Sequence, residues 1–327
     1  MGSKITVESI MGMKGKKKIV AVTAYDYTTA RICDKAGVDI ILVGDSAAMV
    51  MLGYKSTTPI TMEEMLVFCK AVSRAREHAM VVADMPFMSY HISIEDALYN
   101  ACRFIKEGNA DAVKVEGGRE FKHVVEAMVD AGIPVMGHIG LKPQTAPLWQ
   151  GYKVQGKVVD DDASRLIEDA VAIEEAGAFS IVLEQVTYEV AEMISSRLSI
   201  PTIGIGSGSS CDGQVLVLHD MLGLYEYSPR FVKRYADLSS IIADALTRYR
   251  DDVLNARFPG EEHTFHMDAK EYERLKATSI AMGARSERER ENQEQKEEGK
   301  GRVGGEEERV GVGEGRRARW RGGGRHQ

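Results

Sequence analysis

Short, mostly apolar runs alternate along this chain with longer stretches in which apolar residues return every three or four positions. The short runs cover 19–23, 40–43, 80–83, 112–115, 135–137, 180–183, 202–205 and 215–218, and their length and β-branching predict buried parallel strands. The longer stretches predict helices over 61–76, 93–106, 120–131, 161–176 and 188–198. Thr61 with Glu64, and more weakly Ser93 with Asp96, have the three-residue spacing of a capping box. A helical stretch ending in a small residue plus glycine recurs a few residues before an apolar run, as in KAGVDIILVGDS, KEGNADAVKVEGG, DAGIPVMGHIG and EAGAFSIVLEQ. Glycine there serves as a helix C-cap, because a left-handed backbone costs it little. Alternation of this kind means repeated βα units, and eight strands favour a closed (β/α)₈ barrel over an open doubly wound sheet. The GIGSGS segment (204–209) is not followed by a long helical pattern and a suitably placed acid, which argues against dinucleotide binding.

Several of the predicted strands end in a carboxylate: Asp45 after IILV, Asp84 after MVVA, Glu116 after AVKV and Glu184 after SIVL. In a parallel barrel these ends form one rim, where catalytic groups of this architecture gather. Asp45, Asp84 and Glu116 follow three consecutive strands, and such an oxygen set suits Mg²⁺, which keeps waters and takes one or two carboxylates plus substrate. The alternative for each acid taken singly is a helix cap or an ion pair. Lys114 lies two residues before Glu116, so strand periodicity points both into the barrel. There it serves either to neutralise a substrate carboxylate or to form a structural ion pair. His138, after PVMG, is either a substrate-binding group or a satisfied core histidine. Glu184, flanked by Leu183 and Val186, is partly desolvated and competent as a base near neutrality; its alternative is to cap the helix from Tyr188. His219 and Asp220 carry a weaker claim to a second polar cluster, and Met49, Met51, Met85 and Met88 read as core or pocket filler.

Composition narrows the partners. The net charge of −7 over 327 residues gives no global attraction for nucleic acid, so an anionic substrate needs a local cation. Cys33, Cys69, Cys102 and Cys211 show no CxxC spacing, which fits free thiols in a reducing, cytoplasmic setting. No apolar stretch approaches the roughly 18 residues of a membrane helix. Residues 1–280 read as the catalytic barrel. Beyond 280 the chain turns to SEREREN, KEEGKGRVGGEEE and RRARWRGGGRHQ, too poor in apolar residues to offset ordering entropy, so 281–327 is expected to be a disordered, charged tail.

The segments VTAYD (22–26), VGDS (43–46), VVADMPFMSY (81–90), AVKVEGG (112–118), PVMGHIGL (134–141), GYKVQG (151–156), IVLE (181–184), IPTIGIGSG (200–208) and CDGQVLVLHDMLG (211–223) resemble, in order, the ketopantoate hydroxymethyltransferase family. The resemblance runs from about residue 5 to about 276 and departs from the family pattern at Gln150 and at Gln185 to Thr187. It implies a (β/α)₈ barrel of the phosphoenolpyruvate/pyruvate superfamily type. It also implies hydroxymethyl transfer from 5,10-methylenetetrahydrofolate, or a related pterin, to 3-methyl-2-oxobutanoate through a Mg²⁺-stabilised enolate, giving 2-dehydropantoate on the route to pantothenate and coenzyme A. One Mg²⁺ per subunit would be held by Asp45, Asp84 and, less directly, Glu116. Substrate contact would fall to Asp45, Ser46, Asp84, Lys114 and His138, and the base role to Glu184. A large homo-oligomer, decamer or octamer, is implied as well. A lyase or mutase of the same superfamily is the rival enzyme, although a KKCGH-type loop is missing; the rival outside catalysis is a barrel whose Arg-rich tail recruits a partner.

Overall fold

The computed structural model describes residues 3–149, 151–225 and 229–301. Eight strands, β1 Ile19–Thr23, β2 Ile40–Val43, β3 Met80–Asp84, β4 Ala112–Glu116, β5 Val135–Gly140, β6 Ser180–Glu184, β7 Thr202–Ile205 and β8 Gly213–Leu216, close in sequence order into an all-parallel barrel. The helices are α1 Val7–Met11, α2 Tyr27–Lys35, α3 Ala47–Val50, α4 Met62–Ala75, α5 Ile94–Lys106 and α6 Lys122–Asp130. They continue with α7 Ala146–Trp149, α8 Ser164–Glu175, α9 Tyr188–Arg197, α10 Leu218–Met221, α11 Leu238–Leu254 and α12 Ala269–Gly301.

Local chemistry explains the element boundaries. α4 starts at a full capping box, Thr61 Oγ1 accepting from Glu64 N at 3.2 Å and Glu64 Oε2 accepting from Thr61 N at 2.8 Å. α5 starts where Ser93 Oγ accepts from Asp96 N, and α2 where Asp26 accepts from the Thr28 and Thr29 amides. The expected left-handed glycines occur at Gly37, Gly132 and Gly177. In the remaining repeat the left-handed residue is Asn109, and Gly108 is needed for a different reason: a Cβ there would lie 2.6 Å from the Phe104 carbonyl oxygen. β8 begins two residues earlier than the apolar run VLVL suggests, because Gly213 and Gln214 pair with both β7 and β1.

Two cores follow from strand alternation. Outward side chains such as Val22, Ile41, Val81, Val113 and Ile181 pack against the helices. Inward ones, including Ile19, Leu42, Met80, Val82, Ala112, Met136 and Val182, fill the barrel, and Ile10 of α1 joins them, fully buried. The next inward positions towards the carboxyl ends are Asp84, Lys114, Glu116, His138 and Glu184, so the period that packs the interior with hydrocarbon delivers ionisable groups at its top layer.

Packing divides the chain into two compact units, Met1–Arg248 and Tyr249–Gln327, a boundary that falls within α11. The composition change at 280 marks where apolar residues thin out, whereas the packing boundary lies upstream. Residues 281–301, expected to be disordered, continue α12 as helix. Glu, Arg, Gln, Lys and Ala are strong helix formers, and pairs such as Arg274 with Glu271 add only tenths of a kcal/mol, so local propensity supports a helix whose side chains are exposed through 295. Residues 302–327, with the Arg-rich end of the expected tail, lie outside the described residues. Among the described residues no helix is long and apolar enough to cross a membrane.

Candidate active site

Parallel register sets the arrangement. Asp84 on β3 is level with Lys114 on β4, Glu116 with His138 on β5, and Gly140 with Glu184 on β6. Asp45 lies just past β2 and donates its backbone N–H to Asp84 Oδ2 at 3.0 Å, so the first two acids are direct neighbours. Lys114 Nζ reaches Asp84 Oδ1 at 2.7 Å and His138 Nδ1 at 3.0 Å. His138 stands between the remaining carboxylates, Nδ1 lying 3.4 Å from Glu116 Oε1 and Nε2 3.3 Å from Glu184 Oε2. Ser46 Oγ pairs with the buried Tyr25 hydroxyl at 2.8 Å. All seven residues singled out in the sequence line one cavity of about 710 Å³ at the carboxyl mouth of the barrel, together with Thr23, Met49, Tyr152, Asp220 and Phe231.

The electrostatics follow from confining four acids with one lysine and one histidine. Burial, reinforced by the charges of Asp84 and Glu116, pushes the Asp45 carboxyl well above its ordinary range. Burial also raises Asp84, against the pull of Lys114. For Lys114, burial alone would lower the ammonium, but Asp84, Glu116 and Asp45 outweigh it and the net direction is up. Glu116 ends below its usual range because His138 and Lys114 overcome its burial. His138 is pressed down by burial and by Lys114, yet Glu116 and Glu184 lift it to about 9. When His138 is neutral, an ammonium donating to Nδ1 leaves the ring hydrogen on Nε2, the nitrogen beside Glu184.

The donor set fits a hard divalent cation. Asp45 and Asp84 both suffer from carboxylate neighbours, and Glu116 Oε1 is buried without a hydrogen-bond partner in the protein. Among the described residues no group of three or more His, Cys, Asp or Glu side chains is arranged to hold a metal by itself. That is compatible with Mg²⁺, whose sites commonly use one or two carboxylates and complete their shell with water and substrate.

Other sequence candidates separate. Asp220 lines the cavity, while His219 lies outside its lining and rests its ring on Tyr25 at 5.5 Å. Met49 lines the cavity and Met85 is core, whereas Met51 and Met88 are exposed. Gln185, where the chain departs from the family pattern, has φ +47°, a left-handed conformation immediately after Glu184 that a non-glycine residue adopts at some cost. Sequence reading missed Tyr25, Tyr90 and Gln144. Gln144 carries no periodic signal because it sits in the irregular GLKPQTAP loop; only its polar type between two prolines marks it.

A family model described as ketopantoate hydroxymethyltransferase matches residues 4–261. The chain is 57% identical over 273 residues to the 3-methyl-2-oxobutanoate hydroxymethyltransferase of Nitrosopumilus maritimus, covering 83% of this chain and 97% of that one. It is 54% identical to that of Nitratidesulfovibrio vulgaris, covering 86% and 92%. Among solved structures, phosphoenolpyruvate phosphomutase from Streptomyces platensis subsp. rosaceus aligns with TM-score 0.53 at 16% identity over 88% of this chain and 99% of that one. A phosphonopyruvate hydrolase complex with oxalate and Mg²⁺ aligns with TM-score 0.53 at 14% identity, covering 84% and 98%. These two show a shared barrel fold.

Proposed function

Because this chain belongs to the ketopantoate hydroxymethyltransferase family, we propose that its barrel mouth joins the one-carbon unit of 5,10-methylenetetrahydrofolate to 3-methyl-2-oxobutanoate, giving 2-dehydropantoate. The observation that carries this reading is the cavity in which Asp45, Asp84, Lys114, Glu116, His138 and Glu184 meet. Asp45 and Asp84, with Glu116 beside them, would hold one Mg²⁺ per subunit. Bound there, the cation would supply Lewis-acid polarisation of the keto group. A phosphonopyruvate hydrolase of the same fold was crystallised with oxalate and Mg²⁺, which accords with this assignment.

The chain's own groups do the rest. Lys114, fully charged among three acids, offsets their surplus and favours a bound 2-oxo carboxylate, and Ser46, oriented by Tyr25, offers a hydroxyl to it. Glu184 removes the proton from C3, and its position beside His138 Nε2 fixes which oxygen faces the ring. Water adds to the methylene unit of the folate, and cleavage of its carbon–nitrogen bonds frees tetrahydrofolate and leaves the one-carbon unit as formaldehyde. The enolate carbon then attacks that carbonyl, and the new alkoxide takes up the proton held by Glu184, giving 2-dehydropantoate.

A cytoplasmic setting belongs to the same reading and accords with four free cysteines. So does a homo-oligomer, decamer or octamer, which accords with apolar side chains exposed on the barrel exterior, such as Val20, Ile32 and Val67, and which light scattering tests. The decisive experiment follows C3 deuterium uptake by the keto acid in D₂O, with and without Mg²⁺. Glu184→Gln should abolish uptake while retaining keto acid binding; undiminished uptake removes Glu184 from the base role.

A further inference from the structure

Gln144 is 1% exposed, and each of its polar groups has a partner, two of them acids of the cluster. Its Nε2 donates to Asp45 Oδ2 and to the Met85 carbonyl, both at 2.9 Å. Its Oε1 accepts from the Tyr90 hydroxyl at 3.0 Å, and its backbone N–H donates to Glu116 Oε2 at 3.2 Å. Its carbonyl accepts from Thr58 Oγ1 at 3.0 Å, which anchors the loop independently of the amide. The amide has one orientation that works. Turned over, it would aim a carbonyl oxygen at the Asp45 carboxylate and at the Met85 carbonyl, and set an N–H₂ group against a hydroxyl. Tyr90, 1% exposed, is itself held by ring contact with Phe121 at 5.3 Å, and its hydroxyl also lies 3.1 Å from the Glu116 carbonyl.

We infer that Gln144, braced by Tyr90, is a positioning residue that engages one oxygen each of Asp45 and Glu116, fixing both carboxylates for a divalent cation. The inference rests on the cation assignment in the proposed function. It adds that the site's shape comes from a loop beyond β5 and not from the acidic strand ends alone. Carboxylates on a metal are ordinarily held by such outer partners, whose loss lowers metal affinity roughly 10–100-fold.

The test is direct binding of Mn²⁺ alone, a Mg²⁺ substitute visible by electron paramagnetic resonance, to the full-length protein without substrate. Gln144→Leu keeps the bulk and removes the amide, and should weaken Mn²⁺ binding about 10–100-fold. Tyr90→Phe, which frees Oε1, should weaken it severalfold. Thr58→Val removes the loop anchor without touching the amide; it should shift the unfolding midpoint while leaving Mn²⁺ affinity at the wild-type value. Affinity within twofold of wild type in both Gln144→Leu and Tyr90→Phe overturns the inference, and Tyr90→Phe decides alone should Gln144→Leu fail to fold. A wild-type protein that binds no Mn²⁺ sinks the cation assignment itself, an outcome distinct from a wild type that binds and variants that bind equally well.

Discussion

Gly140 is the residue at which a single methyl group should separate strand packing from catalysis. It ends β5 with φ +96°, level with Glu184 in the register, and the neighbouring Leu141 N–H donates to the Glu184 carbonyl at 2.8 Å. A Cβ at 140 would lie 2.3 Å from that carbonyl oxygen and 2.7 Å from Val186 Cγ2. Ordinary contact begins at 3.4 Å, so the ends of β5 and β6 must part by about 1 Å. Gly140→Ala therefore combines left-handed strain of about 1–2 kcal/mol with overpacking of about 1–3 kcal/mol. The displaced segment carries Glu184, and a 1 Å misplacement near reacting groups costs on the order of 100-fold in rate. Gly132→Ala is the control, because Gly132 has φ +82° but nothing within 4 Å of its added Cβ; it should lose only the strain energy. The assays are urea unfolding and C3 deuterium uptake by 3-methyl-2-oxobutanoate. If Gly140→Ala unfolds at the same urea concentration as Gly132→Ala and exchanges deuterium at the wild-type rate, the contact is not as close as described and the reasoning fails.

Two further outcomes follow from the buried charges. Lys114→Met leaves Asp84 and Asp45 without their cation and Glu116 with His138 alone, and should cost about 3–5 kcal/mol at pH 7, a loss that shrinks on acidification as the acids take up protons; unfolding curves at pH 7 and pH 5 with equal losses would contradict this. Burial, against the pull of Arg234, raises Asp220 from 3.8 to about 6, so the folded state holds that proton more tightly and the contribution of Asp220 to stability should rise as pH falls from 6 towards 4. Asp220→Asn removes the charge and should stabilise by about 1–3 kcal/mol at pH 8, with no gain below pH 4 where both forms are neutral; a gain independent of pH would refute the assignment.

The barrel was legible because its strands obey the simplest rule in the chain. Apolar runs marked all eight, four of them announced by a helix-closing glycine, and the ionisable groups at their ends fell where period-two geometry requires, as Lys114 and Glu116 illustrate. β5 was read too short because His138 and Gly140 break its apolar character, although both lie in the strand. α2 was missed because its apolar positions are sparse among Thr, Arg, Asp and Lys. α11 was missed although Ile241, Ile242, Leu246 and Val253 are spaced for a helix face, all of them exposed. Gln144 and Tyr90 stayed hidden for a deeper reason. Their roles depend on how two loops meet over the rim, and no local periodicity encodes that meeting.

Ile10 of α1, fully enclosed by the inward side chains, stops the barrel at its amino end. The interior is thus a cup with one lip, and every molecule that reacts there enters and leaves by the same opening. With the ionisable groups on its floor, a keto acid bound as proposed would lie beneath whatever carries the one-carbon unit. If the proposed reaction holds, arrival would be ordered, small acid before bulky donor, with the spent donor clearing the lip before the finished acid; initial-rate kinetics showing random order would refute this.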